Sequence, residues 1–240
     1  MVNLESLTIT VDGEISTDAV AAVPDIFGDL HKLREFRLTC CGIESSLVES
    51  LRFLSSLESL SLDCETVEQL PLLFGCFSTL ESLRIRCPSL QALPVTIGDF
   101  IKLLKVDIFD TGLRSLPNSF TKLPSLMSLS LRNLQKLETL PEAIGNLNSL
   151  RWLQIKDCAV ESLPESLGRL SGLTSLKVNN CENLETLPET IRDLTSLESL
   201  GISDCALHSL PEYLVQLPGL TNLQNNCQIW NFARNDQNLV

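Results

Sequence analysis

The nine cysteines are the residues of this 240-residue chain with the most reactive side chains on offer, since a thiolate serves as nucleophile, metal ligand or redox centre. Three of them, Cys158, Cys181 and Cys205, recur at steps of 23 and 24 residues. A metal or redox ladder built on that column would need further donors beside it. The two histidines, His31 and His208, stand far apart in unrelated sequence contexts. The competing reading is a column of buried thiols, each a small apolar filler with a weak S–H donor, and the absence of a neighbouring histidine favours it. No Ser-His-Asp set, paired histidines or Gly-rich phosphate loop is present, so no catalytic residue, metal site or cofactor is expected, and the chain is not read as an enzyme.

A second set carries recognition chemistry. Arg84, Arg86, Lys105, Arg132, Lys156 and Lys177, with Phe109 and Trp152 among them, place large aromatics beside cations. That combination is typical of interface hot spots. The competing reading is a solvated surface whose charges keep it from sticking. Which reading applies depends on the elements that hold these residues.

Those elements are written repeatedly. Between Leu150 and Pro211 one sentence occurs three times: LRWLQIKDCAVESLP, LTSLKVNNCENLETLP and LESLGISDCALHSLP. The same opening leucine recurs at Leu4, Leu33, Leu57, Leu80, Leu103, Leu126, Leu150, Leu173, Leu197 and Leu220, with steps of 23 or 24 residues after a first step of 29. Such self-similarity signals a stacked repeat, so residues 1–240 are expected to form a single elongated domain of about ten copies.

In Leu-x-x-Leu-x-Leu the apolar residues alternate, which is the period of a strand. Each copy should add one strand to a parallel sheet, and the rest of the copy must supply the crossover. Crossovers begin Pro141-Glu142-Ala143-Ile144-Gly145, Pro164-Glu165-Ser166-Leu167-Gly168, Pro188-Glu189-Thr190-Ile191 and Pro211-Glu212-Tyr213-Leu214. Proline opening a helical turn, followed by glutamate at its positive end, predicts short helical or 3₁₀ turns. Pro71, Pro94 and Pro117 keep the slot, and Val23-Pro24 begins a divergent version. Crossovers are bulkier than strands about 4.8 Å apart, so the stack should bend with the strands on its concave face.

The ends depart from the rule. Asp12-Gly13-Glu14 reads as an extra turn, and an uncovered first strand leads us to expect a cap or further repeats before it. Asn222, Gln224, Asn225, Asn226 and Gln228 point to a terminating strand, with residues 221–240 forming a cap and tail. Within that segment Trp230 and Phe232 would fold over the last leucine layer, and Arg234 to Val240 would fray.

The outward column comprises Glu35, Arg37, Asp63, Arg84, Arg86, Lys105, Asp107, Phe109, Asp110, Arg132, Trp152, Lys156, Asp157, Lys177 and Asp204. Seven basic and six acidic residues give this face +1, leaving −13 of the −12 total for the rest of the chain. The acidity therefore belongs to the convex side and edges, notably Glu142, Glu165, Glu189 and Glu212.

A formal charge of −12 and a pI near 4.6 argue against a general role on nucleic acid or anionic membranes. No apolar run reaches the roughly 18 residues a span needs, and Met1-Val2-Asn3-Leu4-Glu5 lacks signal-peptide character. The cysteines follow the repeat and no Asn-x-Ser/Thr acceptor occurs, which favours a reducing, cytoplasmic setting. The isolated domain is expected to be a monomer.

These copies resemble the leucine-rich repeats, over nearly the whole chain. The resemblance implies an α/β solenoid, a curved horseshoe with a parallel sheet inside and short helical or 3₁₀ turns outside. It also implies that Cys158, Cys181 and Cys205 fill the slot where such repeats place asparagine or cysteine to bind backbone at the bend. Cys41 shares that slot, whereas Glu65, Pro88, Thr111 and Leu134 break it. Cys40, Cys64 and Cys87 lie one residue earlier, with their orientation open.

LPEAIGNLNSLRWLQIKDC and LPETIRDLTSLESLGISDC are similar to the form found in plant intracellular immune receptors and Ras-group scaffold proteins. Cys181-Glu182-Asn183-Leu184 and the Leu134 to Leu137 spacing add the extra residue frequent in the receptor type. The Gly-x-Ile-Pro signature of plant receptor kinases and the shorter repeat of bacterial ligase effectors are absent. What this implies is recognition of a protein by the concave face, either a pathogen protein or a neighbouring receptor domain, in plant defence and innate immune signalling. No nucleotide-binding motif is present, so a free-standing scaffold or intramolecular clamp is the alternative.

Overall fold

The computed structural model describes residues 3–14, 27, 29–42, 51–70, 77–208 and 211–225. Its strands are β1 (Ser6–Glu14), β2 (Glu35–Gly42), β3 (Ser59–Cys64), β4 (Ser82–Arg86), β5 (Lys105–Phe109), β6 (Ser128–Arg132), β7 (Trp152–Lys156), β8 (Ser175–Asn179), β9 (Ser199–Ser203) and β10 (Asn222–Asn225). They form one parallel ten-stranded sheet whose spatial order is the chain order. Each opening leucine from Leu33 to Leu197 precedes its strand by two residues and is buried.

Alternation along the strands sorts the side chains. In β7, Leu153 and Ile155 are fully buried while Trp152, Gln154 and Lys156 face outward. β3, β4, β5 and β8 repeat this, and β6 and β9 differ in burying the central outward residue, Ser130 or Gly201, as well. The core is thus a column of stacked aliphatic residues, and removing one, as in Leu153→Ala, would cost about 2–5 kcal/mol. In one leucine slot two successive copies both carry a larger residue. Phe77 and Phe100, equivalent positions in successive copies, are both buried with centroids 6.3 Å apart.

The crossovers contain 3₁₀ turns, at Leu51–Phe53, Val95–Asp99, Asn118–Lys122, Ile144–Asn146, Glu165–Arg169, Glu189–Asp193 and Glu212–Gln216. Proline does not occupy the first turn position as expected. Pro94, Pro117, Pro164, Pro188 and Pro211 stand just before it with extended ψ of 136–149°. The fixed proline φ suits extended backbone as well as a turn, and each proline carbonyl still accepts from the N–H three residues on, as for Leu167 on Pro164 at 2.9 Å. Gly98, Gly145 and Gly168 permit the turns of successive copies to meet backbone to backbone. A Cβ on Gly168 would lie 2.3 Å from the Thr190 carbonyl oxygen.

Asp12-Gly13-Glu14 is not an extra turn. It belongs to β1, where Val11 pairs with Cys40 but Glu14 with Gly42, so the surplus residue is absorbed as a bulge. Trp230, Phe232, Pro24 and Pro71 lie outside the described residues.

Candidate functional site

Strand exits differ along the solenoid, and this decides where the polar residues point. Seven residues after the opening leucine the early copies carry Cys40, Cys64 and Cys87, and the later ones Asp110, Asn133, Asp157, Asn180 and Asp204. In the early copies the alternation simply continues, so all three thiols turn inward and are buried. In the later copies the residue adopts φ of 50–54°, a left-handed conformation that Asp and Asn tolerate better than other side chains. That kink re-phases the chain by one residue and sends the next side chain inward, namely Thr111, Leu134, Cys158, Cys181 or Cys205. The two cysteine registers are thus one inward column interrupted by a change of turn.

No disulfide forms among these thiols. Cys158 Sγ donates to the Lys156 carbonyl at 3.2 Å, and Cys205 Sγ to that of Ser203 at 3.3 Å. Each thus donates to the end of its own strand, and Cys158 also meets the backbone of Leu134 in the bend of the preceding copy. Burial pushes the Cys158 thiol up to about 11. Cys64 is raised as well, first by its contact with the neighbouring Cys40 thiol, then by that with Cys87 and by burial. Protonated thiols of this kind are packing groups. Among the described residues no cluster of three His, Cys, Asp or Glu side chains is arranged to hold a metal ion.

The expected recognition residues occupy three parallel columns of the outer sheet face. One runs Asp63, Arg86, Phe109, Arg132, Lys156. The next contains Arg37, Ser61, Arg84, Asp107, Ser130, Gln154, Lys177. The third has Lys105, Ser128, Trp152, Ser175. Phe109 is brought together with two of the cations: the Arg84 guanidinium carbon lies 4.6 Å from its ring centroid and that of Arg132 4.8 Å. Each contact is worth about 0.5–1 kcal/mol at such a site. Trp152 is not part of this group. It sits two strands away in a different column, half-buried, with Ser128 and Ser175 as its register neighbours.

Carboxylates that the sequence placed on the same face take up much of the positive charge. Arg86 donates to Asp63 at 2.8 Å and Asp110 at 3.0 Å, and these bonds hold its guanidinium still more firmly protonated. Arg132 donates to both oxygens of Asp107 at 2.9 and 3.0 Å, and Arg84 approaches the same carboxylate at 3.7 Å. Asp110 is pulled below the usual carboxylate range by the Asn133 amide, 2.7 Å away, and by Arg86, against the opposing effect of partial burial. Lys156 lies 3.8 Å from Asp157. Lys105 and Lys177 have no ion pair among the described residues.

A depression of about 290 Å³ opens beside Phe109, lined by Arg37, Ser61, Asp63, Arg84 and Arg86. Arg37 is outward-facing by its sequence alternation but lies outside the expected recognition set. Its register with Ser61 and Arg84 is the signal that would have found it.

Ten parallel strands in chain order, at steps of 23–24 residues after a first of 29 and with 3₁₀ turns described in seven of the returns, decide the architecture. The fold is that of a leucine-rich repeat solenoid. A family model described as a leucine-rich repeat region matches residues 128–240. Among solved structures, the solenoid is similar to the leucine-rich repeat domain of the type III effector XCV3220 (XopL), at 29% identity and a TM-score of 0.73, covering 84% of this chain and 71% of that one. A Leptospira interrogans leucine-rich repeat protein, LIC12759, gives 29% identity and a TM-score of 0.71, with 85% of this chain matching 52% of its length. The plant peptide hormone receptor RGFR1, solved in complex with RGF2, shares the fold at 19% identity and a TM-score of 0.50, covering 94% of this chain and 50% of that one. No curated protein matches. Leucine-rich repeat domains generally mediate protein–protein interaction. No helix among the described residues of the solenoid is long and apolar enough to cross a membrane.

Proposed function

We propose that this solenoid binds a protein partner through its concave sheet face, as the recognition segment of an intracellular immune receptor. The observation that carries the reading is Phe109, a half-buried aromatic held between Arg84 and Arg132 at the edge of a depression. A preformed strand scaffold spares the interface most of its ordering cost, and an aromatic fixed by two guanidinium groups loses little freedom on docking. Arg84, Arg86, Arg132 and Phe109 form the central cluster; Lys105, Lys156 and Lys177 supply the outlying charge, and Trp152 a second anchor. The repeat form Leu-Pro-x-x-Ile-Gly-x-Leu supports the receptor assignment.

The test compares co-purification of the full-length gene product's partners with wild type, Phe109→Ala and Trp152→Ala under matched expression and thermal stability. Loss of the same polypeptide from both variants is expected, and its full retention in both rejects the concave patch. A second reading, a scaffold or intramolecular clamp, draws on the neutralisation of Arg86 and Arg132 by Asp63, Asp107 and Asp110. Tight association with another domain of the same gene product, and with nothing else, selects it.

A further inference from the structure

One position of the repeat is used differently in two adjacent copies. The residue directly after the opening leucine reads Glu5, Arg34, Glu58, Glu81, Leu104, Met127, Arg151, Thr174, Glu198 and Thr221. It lies at the entry edge of each strand, where Met127 N–H donates to the Leu104 carbonyl at 2.9 Å. Eight copies place a polar or charged side chain there, and Arg34 and Glu58 pair across it at 3.1 Å. The fold therefore has no need of an apolar residue in this slot.

Leu104 and Met127 are nevertheless 38% and 46% exposed, and Ile101, three residues before Leu104, is 58% exposed. Three of the five large apolar side chains exposed among the described residues thus gather on one edge of two neighbouring copies. Scattered singly they would need no explanation; on two neighbouring copies they form an apolar edge.

The charge around this edge runs against that of the chain. Lys102 and Lys105 flank Leu104 in the chain, Lys122 precedes Met127 by five residues and Arg151 takes the same slot in the next copy, while the carboxylates are Glu81 in the preceding copy's slot and Asp99 two residues before Ile101. None of the six takes part in an ion pair among the described residues. Arg151 donates to the Gly172 carbonyl, which leaves its charge uncompensated. The local balance is +2 within a chain of −12, and here, unlike around Phe109, the cations are free to meet a partner's carboxylates.

We propose that the strand-entry edge of β5–β7, built on Ile101, Leu104 and Met127, docks an amphipathic segment of a partner protein with apolar residues on one face and acidic residues flanking them. The apolar contact supplies affinity, and the four cations supply orientation and encounter rate. A membrane is the less favoured occupant, since a chain of −12 is repelled at long range by anionic lipid. The edge shares Lys105 with the concave-face reading but none of its apolar residues, so Phe109→Ala, which leaves Ile101, Leu104 and Met127 in place, tells the two apart.

The test uses a helix-forming synthetic peptide with leucine on one face and glutamate on the other, and its counterpart with lysine in place of glutamate. The protein carries Trp230→Phe, so that Trp152, whose backbone N–H donates to the Met127 carbonyl at 3.0 Å, reports binding through its emission. We expect the acidic peptide to bind, the lysine peptide not to, and Leu104→Glu with Met127→Glu to weaken binding by roughly tenfold or more. These variants copy the natural residue of the preceding copy, Glu81, so folding is retained; Lys102→Glu with Lys105→Glu removes the charge alone and should raise the salt-insensitive fraction of what binding remains. Equal binding of both peptides, or unchanged binding by Leu104→Glu with Met127→Glu, overturns the proposal. So does sedimentation showing a dimer that the same variant dissociates, which assigns the edge to a second copy, or variant-sensitive co-sedimentation with phosphatidylserine vesicles, which assigns it to lipid.

Discussion

Arg132 closes on Asp107 across the β5–β6 ladder, with Nη2 2.9 and 3.0 Å from the two carboxylate oxygens and Nε 3.3 Å from one of them. Asp107 is only 14% exposed and also faces Arg84 at 3.7 Å, so one carboxylate steers both guanidinium groups that flank Phe109. We expect Asp107→Asn to destabilise the fold by about 1 kcal/mol, an effect reduced by salt because Arg132 is partly exposed. For a domain of this size that is a fall of about 2–4 °C in Tm, read by thermal denaturation at low and high ionic strength.

The hydrogen bond from Asn133 to Asp110 lowers the carboxyl's pKa in the folded state. A depressed folded pKa contributes stability that is present above the unfolded value near 3.8 and is lost as pH falls through the folded one. Asn133→Gly removes the amide while keeping the φ of 52° accessible. The Asp110 titration, followed by carbon-detected NMR, should move up toward the ordinary range. An unchanged midpoint would show that Arg86 alone sets it.

Asp204 adopts φ of 54° and is exposed, with no side-chain hydrogen bond to a neighbouring copy among the described residues. Asp204→Val should cost about 1–2 kcal/mol through backbone strain, whereas Asp204→Gly should be nearly neutral. Equal losses in urea denaturation would mean that the side chain, not the conformation, is what this slot requires.

Two glycines offer a matched pair. Gly168→Ala forces a methyl to within 2.3 Å of the Thr190 carbonyl, and a stiff backbone oxygen cannot give way, so a loss of about 1–3 kcal/mol is expected. Gly201→Ala in β9 would meet nothing closer than Lys177 Cγ at 3.5 Å and should be tolerated. Chemical denaturation of both variants checks the contrast.

Cys64 and Cys158 should be inert in the native state. Cys158, held protonated up to about pH 11 by burial, and the buried Cys64 should alkylate with iodoacetamide at pH 8 only after unfolding. Mass spectrometry of peptides labelled with and without denaturant measures this directly. Rapid native labelling of Cys64 would contradict its burial.

The register of the leucines, written in every copy, determined by itself the number of strands, their parallel order and which residues line each face, because alternation and period are local properties of the chain. It could not show that Cys40 and Cys158 share one inward column. That depends on a backbone sign change at Asp110, Asn133, Asp157, Asn180 and Asp204, which re-phases the side chains without altering the leucine spacing. Nor did it separate the eight recognition residues into groups. Arg86, Arg132 and Phe109 lie about 23 residues apart in the chain, and only stacking at the strand spacing brings Asp63, Asp107 and Asp110 to their guanidinium groups. Charge listed along a sequence adds up, whereas charge placed on adjacent strands pairs off. For that reason the tertiary structure decided which cations are neutralised around Phe109 and which stay unpaired beside Leu104 and Met127.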